Sequence, residues 1–205
     1  MKAFRSFQLA ALIILATGFA AAAQTVPTHA WSHGTTINLF SGVGVASSNA
    51  GVTFGGAAGW EVTRTFGIEG LAEWLDRPTG EEGFDVSLSG LVNLTSARPV
   101  VPFLKAGVGF YRATFDGSAT DVPEFYQHRI NDGQTDAGLR QTFTNPSFVV
   151  GGGLSVFVSR HWAIRPDVTV TIVRDHSASY IVTGVTVHAA YHFEDHPVTP
   201  SRLGK

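Results

Sequence analysis

Cysteine is absent from the sequence and lysine is scarce. Without thiols there can be no disulfides and no thiolate metal site, so the fold must be held by hydrogen bonding and packing alone. No apolar run reaches the roughly 20 residues of a spanning helix. A basic tract is missing too, with 14 Lys and Arg against 16 Asp and Glu. The apolar stretch 9–19 follows Lys2 and Arg5 and precedes alanines at 20–23. That is the order of a secretory signal peptide cleaved near Ala23, ahead of Gln24. Losing Lys2 and Arg5 lowers the basic count from 14 to 12 against 16 acids, leaving the exported chain at −4. A mildly acidic chain without a basic patch is not expected to bind nucleic acid.

What is present is strand chemistry: 23 glycines, 15 phenylalanines and abundant Val and Thr, with no competing helical period. Val52, Phe54, Gly56, Ala58, Trp60 and Val62 alternate with Thr53, Gly55, Ala57, Gly59 and Glu61, giving one apolar and one small or polar face. The run is as long as the ~9–11 residues of a tilted strand that crosses a bilayer. The same period recurs at 66–74, where Leu71 breaks it on the polar side, and at 86–94, 101–112, 148–158, 164–172 and 185–193. With a first strand at 36–45, this predicts eight strands and an all-β, antiparallel up-and-down barrel. The expected organisation is a signal peptide at 1–23, a periplasmic lead-in at 24–34, the barrel at 35–193 and a polar periplasmic tail at 194–205. Connections at 63–65, 95–100 and 159–161 read as short periplasmic turns. Those at 46–50, 75–83, 113–145 and 174–179 read as mostly longer external loops.

A period of two does not by itself say which face points outward, because a soluble ligand-carrying barrel hides its apolar face. Two features favour a membrane barrel. The polar faces are glycine-rich and carry both signs of charge, as a narrow lumen would. Aromatic residues gather near strand ends, with Trp60, Trp74, Tyr111, Trp162, Tyr180, Tyr191 and Phe193 placed as interfacial girdles. On that reading Val150, Val156 and Val170 face lipid.

The segment 151–193 opens Gly-Gly-Gly-Leu-Ser-Val-Phe-Val-Ser-Arg-His-Trp-Ala-Ile-Arg-Pro-Asp and closes Val-His-Ala-Ala-Tyr-His-Phe. It resembles the final hairpins of the small outer-membrane β-barrel family, the OmpA/OmpX-like group, and the likeness extends over 35–193. The resemblance implies an eight-stranded outer-membrane barrel whose last strand ends in aromatic residues, here Tyr191 and Phe193, read by the barrel-assembly machinery. Phe193 departs from the pattern in not being the chain terminus.

Candidate chemistry is sparse. Glu61, Glu69, Glu73, Asp85, Lys105, Arg165 and Asp167 fall on lumen faces. An eight-stranded barrel is only wide enough for side chains, so these charges are expected to pair with one another rather than line a pore. His188 and His192 stand four apart on a strand, roughly 13 Å at ~3.3 Å per residue, and cannot share an ion; His161, His176 and His196 fall in connections or the tail. Asp175, His176, Ser177 and Ser179 hold the residue types of a hydrolytic triad. Their order, His-Ser-Ala-Ser, differs from the His-x-Ser-Asn of lipid A deacylases, and adjacent strand residues face opposite ways. The 113–145 connection mixes Phe115, Phe125, Tyr126 and Phe143 with Asp121, Glu124, Arg129, Asp132 and Arg140. Its stretch from Asn131 to Asp136 lacks the full ligand series of a calcium loop. A loop this long is expected to bind something at the surface. The expectation is therefore a non-enzymatic outer-membrane barrel with no catalytic, cofactor or metal residues. Its partners would be outer-membrane lipid, the assembly machinery and an extracellular ligand at 113–145. The alternatives are a barrel hydrolase acting on lipid and a soluble periplasmic carrier.

Overall fold

The computed structural model describes residues 34–46, 49–77, 81–95, 98–115, 123–131, 140–175 and 178–194. The expected leader, the lead-in before Gly34, His176 and Ser177, and the tail after Glu194 lie outside the described residues. Eight antiparallel strands close into a barrel in chain order: β1 (Gly34–Ala46), β2 (Asn49–Glu61), β3 (Phe66–Asp76), β4 (Glu82–Asn93), β5 (Val100–Phe115), β6 (Gln141–Phe157), β7 (Trp162–Asp175) and β8 (Ala178–His192). A helix, α1 (Glu124–Asn131), lies between β5 and β6. Closure comes from β1 pairing with β8, in register from Thr36↔His192 to Ala46↔Val182, so no edge is left unpaired.

The apolar face points outward. Leu39 is 70% exposed, Phe110 65% and Val185 54%, while their polar neighbours Asn38, Tyr111 and Thr186 are buried inside. A water-borne carrier would show the reverse, so the period-two pattern is that of a barrel in lipid. Trp60, Trp162 and Phe193 are exposed near the end where β1 begins and β8 ends, the terminal end, and Trp74 near the other. Trp162 and Phe193 pack on Tyr191 at 5.1 and 5.2 Å between ring centroids. Tyr111 and Tyr180 depart from the expected girdle. Both are buried in the lumen, because each sits on the inward parity of its strand.

The connections also depart from expectation. Opposite the terminal end, Ala46 pairs with Asn49 and Asp175 with Ala178, leaving two residues in each hairpin rather than longer loops. The connection expected at 113–145 is shorter as well: β5 runs to Phe115, β6 starts at Gln141, and α1 occupies part of the interval. Strand pairing extends further from the membrane than the apolar band, and this extension shortens the loops. β6, at 17 residues, spans roughly 40 Å along the barrel at ~3.3 Å per residue and a ~40° tilt, against an apolar band ~25 Å tall. Inward glycines allow strands to close tightly; a Cβ at Gly107 or Gly109 would collide with the backbone of β4.

Candidate functional site

The interior is packed in three layers. Near the start of β1 and the end of β8, Val101, Phe157, Ala163 and Ala190 form a small apolar plug. Above it, Arg165 on β7 reaches across the lumen to Glu69 on β3, donating two hydrogen bonds of 2.5 and 3.0 Å. Nη2, which donates to Glu69, also lies 3.5 Å from Asp167, and the guanidinium stacks 4.3 Å from the centroid of the Phe103 ring. Lys105 on β5 donates to Asp167 at 2.8 Å, and the Thr169 hydroxyl donates to the same carboxylate at 2.9 Å. Arg165, Glu69, Lys105 and Asp167 are all buried. Such charges are tolerated only when paired and hydrogen-bonded, and a bidentate Arg–carboxylate pair is the strongest form available.

Sequence parity correctly put Glu69, Lys105, Arg165 and Asp167 inside, and the fold joins them. Glu73 and Asp85 are brought opposite each other in the β3–β4 register, yet each engages a hydroxyl instead of a cation. Thr53 donates to Glu73 at 2.5 Å and Ser147 to Asp85 at 3.2 Å. Glu61 lies nearer the terminal end, beside a small cavity. The expectation that all seven charges pair with one another therefore holds for only part of the set. In this middle layer, among the described residues, the lysine and arginine charge comes from Lys105 of β5 and Arg165 of β7.

His188 is held between Asn38, at 2.9 Å through Nδ1, and Thr186, at 2.9 Å through Nε2, with the Phe40 ring stacked 4.5 Å away. His192 belongs to a lower layer, where Nδ1 meets the Thr36 hydroxyl at 3.1 Å and the ring packs on Phe157. Among the described residues no group of three or more His, Asp or Glu is placed to hold a metal. Of the triad-like run, Asp175 and Ser179 are described, on adjoining ends of β7 and β8, while His176 and Ser177 are not.

The third layer closes the barrel opposite the terminal end. Tyr126 of α1 is 0% exposed and packs on Phe115, Phe143 and Tyr180 at 4.7, 5.3 and 5.6 Å between centroids. Phe125 stacks on Tyr180 at 6.0 Å. Beneath this cap Arg77 and Glu81, which flank the β3–β4 turn, are both buried and paired, and Arg77 also donates to the Tyr180 hydroxyl at 2.6 Å. Burial pushes the Glu81 carboxyl above its usual range, against the opposing pull of Arg77. Gly83 makes room for the Tyr111 hydroxyl, into which a Cβ would run. Asn38, Arg77 and Glu81 were not singled out from sequence, and Tyr126 was named only among the aromatics of the 113–145 connection. Period two would have placed Asn38 inside, but no local pattern marks two charges in a turn as buried.

Little space is left over. A cavity of about 40 Å³ borders Glu61, Glu69 and Arg165, and one of about 20 Å³ borders Glu73, Asp85 and Tyr111. Such volumes have room for a few waters and no larger solute, since one water needs roughly 10–15 Å³.

Known proteins of this shape are barrels of the same kind. Neisserial surface protein A aligns over 79% of this chain and 97% of its own, with a TM-score of 0.57 and 12% identity. The N-terminal barrel domain of OprF from Pseudomonas aeruginosa aligns over 76% and 97%, with a TM-score of 0.51 and 11% identity. Outer membrane protein OprG of the same organism aligns over 83% and 100%, with a TM-score of 0.50 and 11% identity. At such identities the likeness speaks for the fold alone. No curated protein matches the sequence. The family model for the outer membrane protein beta-barrel domain matches residues 9–193. The chain belongs to that family, and its place is the bacterial outer membrane.

Proposed function

We propose that this protein is a sealed, non-enzymatic barrel that contributes to envelope structure and presents its long β5–β6 connection as a surface for interaction. The observation that carries the reading is the filled lumen: an apolar plug, a layer of paired charges and an aromatic cap follow one another along its axis. A barrel of eight strands has room only for side chains, and small cavities of about 40 and 20 Å³ beside the paired charges support a lumen filled in this way. The α1-bearing end is taken as external, since short periplasmic turns and the longest connection outside are the habit of such barrels, with both termini then in the periplasm. Raised strands β5 and β6 lift that connection clear of the lipid.

Reconstitution into planar bilayers tests the sealed state. The purified barrel is expected to give no steady conductance steps and no swelling of sugar-loaded liposomes. Reproducible open steps from the folded species would overturn the reading. Lipid A from cells overproducing the protein is expected to be unchanged in mass, and loss of an acyl chain would restore the hydrolase.

A further inference from the structure

The outward face of the barrel changes from apolar to polar at one height on three adjoining strands. On β5 the exposed Phe110 is followed two residues on by exposed Arg112 and then Thr114. On β6, whose Thr144 pairs with Arg112 and whose Thr142 pairs with Thr114, exposed Phe148 lies below these two exposed threonines. On β7 the half-buried Ile172 is followed by exposed Arg174, one step beyond the Ser147↔Val173 pair. The Thr114 and Thr142 hydroxyls stand 3.1 Å apart on this wall. Arg140, at the top of β6, is already ion-paired with Glu82, whereas the side chains of Arg112 and Arg174 meet no partner among the described residues. Their Cα atoms are separated by two strand spacings and a short stagger, roughly 10–12 Å, within the joint reach of two arginine side chains.

We infer that Arg112 and Arg174, with the hydroxyls of Thr114, Thr142 and Thr144, form a docking site for the phosphates of an outer-leaflet phosphoglycolipid whose acyl chains lie on Phe110, Phe148 and Ile172. The assignment rests on taking the α1-bearing end as external. Charge complementarity fixes the sector. On β3 and β4 the corresponding outward positions are the acidic Asp76 and Glu82. Glu82, which pairs in register with Thr114, is answered by Arg140. Among the described residues of this wall the unanswered acid is therefore Asp76 on β3, while the unanswered cations, Arg112 and Arg174, are on β5 and β7. Arginine suits the task because its planar fork binds phosphate oxygens in pairs and stays charged. Threonine hydroxyls beside it can donate to sugar and phosphate oxygens alike. The site sits where phosphates must lie, directly above the last apolar side chains, and β5 and β6 continue past it as a wall against the sugar.

Native mass spectrometry of the folded full chain in detergent micelles, titrated with diphosphoryl lipid A, tests this. The wild-type barrel is expected to retain the lipid, and Arg112→Gln with Arg174→Gln to weaken binding about tenfold or more. Arg98→Gln, in a connection at the opposite end, is expected to bind as wild type. Heat-modified gel mobility identifies the folded fraction of each variant. Equal retention by the double variant, or an equal loss with Arg98→Gln, would overturn the site. Equal or tighter binding of phosphatidylglycerol would overturn the phosphoglycolipid assignment. Protease cutting on intact cells tests the orientation separately, and conductance tests the sealed state, so failure of either is told apart from failure of the site.

Discussion

Arg165 is the residue on which the middle of the lumen depends. It is buried, answers Glu69 through both terminal nitrogens, and touches Asp167 and the Phe103 ring. Glu69→Ala strands that guanidinium without its main partner and is expected to cost about 3–5 kcal/mol, as removal of one member of a buried pair does. Glu69→Leu combined with Arg165→Met removes both charges, leaves Asp167 to Lys105, and is expected to recover most of that loss. Urea titration of the barrel folded into lipid vesicles measures both, and additive losses in the double variant would mean the pair is not coupled. On the lipid side, Val150→Arg is expected to cost about 2–4 kcal/mol near the bilayer midplane, with lumen-facing Thr169→Asn milder. The inward charges were legible because side chains alternate along a strand. Who pairs with whom was not. Glu69 and Arg165 lie on strands that share no ladder, and their meeting depends on barrel closure and shear, which period two does not encode.

At the scale of elements, α1 and the end of β8 carry the informative differences. The helix was read as loop, since eight residues of weakly amphipathic sequence give little periodic signal. Pro123 ahead of Glu124 was a start signal of the usual kind, and the Tyr126 amide indeed donates to the Pro123 carbonyl at 2.8 Å. Tyr126→Ala empties the centre of the cap and is expected to cost about 3–5 kcal/mol, the range for a large buried aromatic. Protease should then cut the β5–β6 connection faster on intact cells. An unchanged cutting rate would mean the helix is not seated by that ring. At the other end, Glu194 is bound to the barrel, accepting from the Thr35 amide at 2.9 and 3.0 Å. A truncation that tests whether the tail is dispensable therefore begins at 195. Removing 195–205 is expected to leave assembly intact, while Phe193→Ala, which loses an exposed interfacial ring, slows insertion and raises periplasmic degradation. Pulse-chase measurement of folded and degraded fractions separates the two, and the reverse outcome would place the assembly signal in the tail.

For the whole molecule, the strand number and the up-and-down order could be read from alternation, whereas the outward direction of the apolar face was read from the glycine-rich, charged polar faces and the placing of the aromatic residues. Loop lengths could not, because paired strands run on past the lipid at the α1-bearing end. The central claim is that the apolar face meets lipid while the lumen is filled. The absence of cysteine allows single nitroxide labels at Val168, Thr169, Val170 and Thr171 of β7, each in the protein reconstituted into bilayers. Collision with oxygen, which concentrates in hydrocarbon, and with a water-soluble nickel complex is then read at each site. A filled membrane barrel predicts strong oxygen and weak nickel collisions at 168 and 170, and weak collisions with both at 169 and 171. Strong nickel collisions at 169 and 171 would contradict it.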